Sequence, residues 1–140
     1  MSADFLDSNL FVYLFDNTDA VKRQVAEELV RAGIDNGTAI ISFQVVQEVL
    51  NVVTQKLPTP ATPEQARRLL DEVLVPLWSV MPSQALYDRA LDVRARYQFH
   101  FYDALIVAAA LAAGCTRLYS EDLQHGQRIE RLTILNPFRA

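Results

Sequence analysis

The chain has one cysteine, four glycines and two histidines in 140 residues. A lone Cys115 cannot close an internal disulfide, and it follows an apolar helix and a glycine, the setting of a packing residue. Gly33, Gly37, Gly114 and Gly126 stand far apart, so there is no phosphate-cradling loop and no dinucleotide fingerprint. His100 and His125 share no zinc-ligand spacing with Cys115, which removes zinc. His100 reads as a packing or capping residue beside a helix, and His125 as a loop residue. The longest apolar run, Ala104 to Ala113, falls short of the ~18–20 residues that cross a bilayer, so no membrane span is expected. Asp4 and Asp7 sit where a signal peptide would carry basic residues, so the expected compartment is the cytoplasm. Lysine is scarce: only Lys22 and Lys56 accompany eleven arginines, and the net charge of −4 argues against a protein that coats DNA by positive field.

What is present is a well-stocked core. Hydrophobic residues make up 51% and charged residues 21%, which excludes disordered and low-complexity classes, and the length suits one domain over residues 1–140. Phe5-Leu6 between two aspartates reads as a strand, followed by a tight turn and a short helix in the apolar run Leu10 to Phe15. Val21, Val25, Leu29 and Val30 recur at helical spacing up to Gly37. Thr38 to Ser42 is a strand buried on both faces, with Ser42 placed to cap the helix Phe43 to Lys56. Thr62-Pro63-Glu64-Gln65 combines a capping threonine, a proline at the first helical position and a glutamine three residues after the cap, so a helix begins there and runs toward Val75. Trp78 to Met81 is a short strand, Ser83 opens a helix through Tyr97, and Tyr102 to Ala113 is an apolar helix stopped by Gly114. Thr116 to Tyr119 and Leu132 to Leu135 are the last strands. Strands alternating with helices predict an α/β fold, a three-layer α/β/α sandwich on a mostly parallel sheet.

In such a sheet ligands bind beyond the carboxyl ends of the strands. Asp7 closes the first strand. Asp122 follows the strand Thr116 to Tyr119 in the polar stretch Ser120-Glu121-Asp122. Glu48 borders the apolar face of the helix after the second strand, and Asp103 opens the helix with apolar residues behind it. Each has an ordinary explanation: a cap for Asp7, the helix dipole for Asp103, a solvated side chain for Glu48, a loop for Asp122. Their coincidence on one edge is what argues for function. Like charges within ~4–6 Å oppose one another's ionisation, and no lysine or arginine stands in these motifs to compensate. An all-oxygen carboxylate set suits Mg²⁺ or Mn²⁺, and such a site promotes displacement at phosphorus.

Phe5-Leu6-Asp7-Ser8-Asn9, Gln47-Glu48, Phe101-Tyr102-Asp103-Ala104-Leu105-Ile106 and Leu118-Tyr119-Ser120-Glu121-Asp122-Leu123-Gln124-His125-Gly126, in this order, resemble the PIN-domain nucleases. More narrowly they resemble the VapC-type ribonuclease toxins of bacterial toxin–antitoxin pairs. The resemblance implies an endoribonuclease that uses Mg²⁺ or Mn²⁺, leaves a 5′-phosphate and a 3′-hydroxyl, forms a homodimer and is held inactive by a cognate antitoxin. Carried over, Asp7, Glu48, Asp103 and Asp122 match the family's metal-binding acids. Asn9 and Ser120 match the flanking polar positions, and Glu121 could add a water-mediated contact.

The competing readings are a PIN-like module that binds RNA or protein without cutting, and a phosphoacceptor domain. The second wants adjacent acids after the first strand and a lysine at a late strand end, whereas Ser8-Asn9 follow Asp7 and neither Lys22 nor Lys56 is so placed. A haloacid-dehalogenase phosphatase wants an aspartate where Asn9 stands.

Overall fold

The computed structural model describes residues 3–139. Residues 1, 2 and 140 of the single domain expected from the sequence lie outside the described residues. The elements run β1 (Asp4–Leu6), α1 (Ser8–Val12), α2 (Ala20–Asn36), β2 (Ala39–Ser42), α3 (Phe43–Gln55), α4 (Pro63–Leu69), a π-helical stretch (Leu70–Leu74), α5 (Val75–Leu77), β3 (Trp78–Val80), α6 (Gln84–Tyr97), α7 (Phe101–Ala112), β4 (Arg117–Tyr119), β5 (Arg128–Ile129) and β6 (Leu132–Leu135). The strands form one sheet in the order β3-β2-β1-β4-β6-β5, parallel throughout except for β5 against β6.

This order places the chain reversal beside β1. From β1 the chain steps outward to β2 and β3, then returns past β1 to β4 and β6. Right-handed crossovers put α1 to α5 on one face and the α6–α7 hairpin on the other, in keeping with the packing of α1 against α2 and α3 and of α6 against α7. The three-layer sandwich expected from the sequence is therefore the observed one. Phe5, Ile41, Leu118 and Ile134 fill its centre with no exposed surface. Truncating a buried Phe such as Phe5 to alanine costs ~3–5 kcal/mol.

Local chemistry explains most boundaries. Thr62 and Gln65 form the expected reciprocal capping box, and Gly37 closes α2 at φ +65°, a conformation that a side chain disfavours. Gly33 has a different reason: a Cβ there would stand 2.4 Å from the Ala39 Cβ, so α2 lies on β2 only because that position is bare. The π-helical stretch ends two residues before Pro76, which has no N–H to return to the preceding turn; the Val75 N–H reaches back five residues to the Leu70 carbonyl.

Three sequence expectations need correction. Val21 is 73% exposed; of the four expected residues α2 buries Val30, and it adds Ala26 and Gly33, because the helix meets β2 through its small residues. Ser42 occupies the N-cap of α3, but its hydroxyl makes no capping hydrogen bond and is buried without a partner. His100 is exposed at the N-cap of α7 with no side-chain cap bond, so it neither packs nor caps. The antiparallel pair β5–β6 was invisible in the sequence: β5 has two residues, and Glu130 takes φ +54° in the turn without a glycine or asparagine to mark it.

Candidate active site

The crevice beyond the ends of β1 and β4 is the switch point of the sheet, where open α/β folds bind ligands. The register that pairs Leu6 with Tyr119 sets the next residues, Asp7 and Ser120, side by side. The Asp7 N–H continues the ladder, donating to the Tyr119 carbonyl at 3.0 Å. Both oxygens of its carboxylate are used. Oδ1 accepts the Ser8 N–H at 2.7 Å as the cap of α1, and Oδ2 accepts the Ser120 hydroxyl at 2.8 Å. Oδ1 also accepts the Ser8 hydroxyl at 3.5 Å, so with about two lone-pair sites per carboxylate oxygen the free one is on Oδ2, and the capping and functional explanations of Asp7 are compatible.

Ser120 passes the connection on, its Oγ accepting the Asp122 N–H at 3.2 Å. Asn9, in the first turn of α1, donates from Nδ2 to Asp122 Oδ2 at 3.3 Å and accepts the Glu121 N–H at 3.4 Å. Asp7, Asn9, Ser120 and Asp122 therefore form one hydrogen-bonded unit across β1 and β4. Asp7 is 6% exposed. Its carboxyl is pushed up to about 6, chiefly by burial, against the opposing hydrogen bonds from Ser120 and Ser8 and with the help of the Glu48 and Asp122 charges.

The other two acids approach from helices. Glu48 on α3 and Asp103 in the first turn of α7 are both half-buried. Gln44, one turn before Glu48 and buried, donates from Nε2 to Glu48 Oε2 at 3.4 Å and to the Tyr102 carbonyl at 3.0 Å, so one amide ties α3 to the turn that carries Asp103. Burial raises the Glu48 pKa, hydrogen bonds from Gln44 and Ser8 oppose it, and the Asp103 and Asp122 charges add to it. Asp103 is raised by burial and by Asp122, with His100 pulling the other way. Asp7, Glu48 and Asp103 each feel the charge of Asp122, and Asp7 and Glu48 feel that of one further acid.

No lysine or arginine forms an ion pair with any of the four among the described residues. An uncompensated, partly buried set of carboxylate oxygens matches the donor chemistry of Mg²⁺ or Mn²⁺. As the side chains stand, no three acidic, histidine or cysteine groups among the described residues converge tightly enough to hold one ion. Like charges hold one another apart, and closing such a set takes a cation. Turning those side chains costs far less than moving the strands and helices that carry them.

Sequence reasoning passed over Gln44, Tyr13 and Lys22. Gln44 carried a signal, a polar side chain at i−4 from Glu48 on a face otherwise made of valines. Tyr13 and Lys22 carried none beyond the scarcity of lysine. A hollow of about 680 Å³ opens elsewhere, between α6 and Glu130, lined by Arg89, Asp92, Arg96 and Tyr97 and crossed by the Arg89–Glu130 pair. Its lining carries two arginines and two acids, of which Arg89 and Glu130 pair, and it does not touch the four acids. No helix among the described residues is long and apolar enough to cross a membrane.

Comparison with known proteins agrees with this geometry. The PIN domain family model matches residues 5–130. No curated protein sequence matches the chain. Among solved structures, a toxin–antitoxin complex from Klebsiella pneumoniae aligns with TM-score 0.68 at 20% identity, covering 99% of this chain and 100% of that one. VapBC2 from Rickettsia felis, bound to a DNA fragment from its promoter, aligns with TM-score 0.66 at 20% identity over 94% and 96%. VapC20 from Mycobacterium tuberculosis, a toxin that cleaves the sarcin–ricin loop, aligns with TM-score 0.63 at 17% identity over 86% and 90%. At these identities the likeness is one of fold.

Proposed function

The chain belongs to the PIN domain family, and on that premise we propose that it is a Mg²⁺- or Mn²⁺-dependent endoribonuclease, the toxin of a toxin–antitoxin pair. In this reading it works in the cytoplasm as a homodimer restrained by a cognate antitoxin. The observation that carries the reading is the edge of four acids at the switch point, hydrogen-bonded from within and matched by no cationic side chain. Likeness of fold to toxins that cleave RNA or sit in toxin–antitoxin complexes supports the class of activity.

Asp7 and Asp103 are the principal ligands in this proposal, and Glu48 and Asp122 complete the set directly or through water. A divalent cation in such a setting supplies charge neutralisation at a phosphodiester and acidifies water at neutral pH. The chain's own residues do the rest. Ser120 and the Ser8 N–H orient the Asp7 carboxylate, Asn9 orients that of Asp122, and Gln44 holds Glu48 beside α7. The open edge admits a polymer, as a substrate cut internally requires.

The deciding experiment is cleavage of total cellular RNA by the purified chain, freed of any copurifying partner, with Mg²⁺ or Mn²⁺, with EDTA, and with Asp7→Asn and Asp103→Asn in parallel. Discrete fragments that need the metal and vanish in both folded variants are the expected result. Intact RNA, together with no metal-induced rise in melting temperature, would favour the module that binds without cutting.

A further inference from the structure

Glu121 is the chain neighbour of Asp122, yet its carboxylate is engaged away from the acids. Oε1 accepts the Tyr13 hydroxyl at 2.6 Å, and Oε2 accepts from the Lys22 ammonium. Lys22 also donates to the Tyr13 hydroxyl at 3.2 Å. Its Nζ stands 5.3 Å from the Tyr13 ring centre and 5.6 Å from that of Phe138, and the two rings meet edge to face at 5.0 Å. Three segments converge on the ammonium that the first turn of α2 carries: the end of α1, the loop after β4 and the C-terminal stretch. Side chains of 34% and 24% exposure form the central pair, so it is shielded more than an ordinary surface bridge.

The chain bends at Glu121–Leu123, with the Asp122 N–H folded back onto the Ser120 hydroxyl, and the two neighbouring carboxylates find different partners. With Glu121 drawn toward Lys22, Asp122 is left facing Asn9 and Ser120, and the Glu121 N–H remains on Asn9. Without Lys22, a fifth carboxylate would stand unpaired beside four others and be free to compete for the same cation.

We propose that Lys22 is a positioning residue of the acidic edge: with Tyr13 it tethers Glu121, so that the turn at 120–122 presents Ser120 and Asp122 to Asp7 and keeps Glu121 out of the metal's reach. The consequence for metal binding rests on the function proposed above; the tethering of the turn does not.

Two measurements on the full chain separate these parts. The first is amide hydrogen exchange of the metal-free protein at Glu121 and Asp122, and the second is calorimetric titration with Mn²⁺. In Lys22→Met, exchange at both amides accelerates about tenfold and Mn²⁺ affinity falls ~10–100-fold, as for loss of an outer partner of a metal site. Lys22→Arg restores both. Arg89→Met, which breaks the comparable Arg89–Glu130 pair at a distance from the acids, changes neither. Unchanged exchange in Lys22→Met overturns the tether. Faster exchange with unaltered Mn²⁺ affinity overturns its link to the metal edge. A wild-type chain that binds no Mn²⁺ overturns the metal reading, while the exchange result still decides the tether. Should Lys22→Met fail to fold, Glu121→Gln, which keeps an acceptor for the Tyr13 hydroxyl but drops the ion pair, carries the exchange readout with the same expected direction, and unchanged exchange at Glu121 and Asp122 overturns the tether.

Discussion

The two halves of the acidic edge are built differently. On the β1–β4 side, Asp7, Asn9, Ser120 and Asp122 interlock through hydrogen bonds whose geometry follows from strand register. On the α3–α7 side, Glu48 and Asp103 ride on helices joined by the single Gln44 amide, and Asp103 is influenced chiefly by burial and by neighbouring charges. The strand side holds its acids through hydrogen bonds among themselves, whereas the helix side ties Glu48 through one amide and leaves Asp103 without a side-chain partner among the described hydrogen bonds. A parallel ladder fixes adjacent strand ends to a fraction of an ångström, while a helix face allows its long side chains several rotamers.

The sharpest way to break this contrast is to remove the pivot of the ordered half. Asp7→Asn keeps the shape and can still accept the Ser8 N–H, yet loses a charge that burial and two neighbouring acids disfavour. RNA cleavage should fall by more than the ~10–100-fold typical of losing an outer partner, with a melting temperature equal or higher. A melting temperature several degrees lower would mark Asp7 as a structural cap instead.

Gln44→Met attacks the loose half. It removes the tie between Glu48 and α7 but also a buried Oε1 that has no partner. We expect Mn²⁺ affinity to drop ~10–100-fold by calorimetry and stability to change little, since both sides of the hydrogen-bond ledger shrink together. Equal affinity for wild type and variant would show that the helix half needs no such tie.

The pH dependence of stability probes both halves together. Asp7 titrates at about 6 in the folded chain against an ordinary 3.8, so the folded state binds more protons than the unfolded one between those values. Stability of the metal-free protein should therefore fall as pH rises from about 4 to about 6, by about 3 kcal/mol from this group alone. Glu48 and Asp103 are raised, first by burial, and act in the same direction. Urea unfolding at the two ends of this range measures the slope, and added Mn²⁺ should recover stability at neutral pH. A flat or rising profile would contradict a crowded, uncompensated edge.

The smallest effect is expected at the opposite edge of the sheet. Arg117 opens β4 and grips Asp4 through two hydrogen bonds of 2.7 and 3.0 Å, half-exposed to water. Arg117→Gln should cost ~0–1 kcal/mol in thermal unfolding and leave cleavage intact. Any loss of activity there would mean that the two edges are coupled through the sheet.

Much of the fold was legible in the sequence because its signals are local. The capping box at Thr62 and Gln65, the valine face of α3 and the buried run after Asp103 each report their own element, and their alternation implies the parallel sheet. The β5–β6 hairpin was hidden because two residues carry no period, and the exposure of Val21 because helical spacing does not say which neighbour a helix will meet. At the candidate site, residue types and strand ends pointed to Asp7, Glu48, Asp103 and Asp122. The partners of those acids could not be read in the same way.

The chain by itself determined which segments become strands and helices, and it put Asp7 and Asp122 in the stretches that follow two strands, Glu48 on the face of α3 and Asp103 in the first turn of α7, since each depends on residues within one or two turns. Only the tertiary structure decided that Gln44 reaches the Tyr102 carbonyl 58 residues away, and that Lys22 binds Glu121 rather than an acid of the edge. Those choices turn on distances between segments that the order of strands brings together, and no local pattern encodes them.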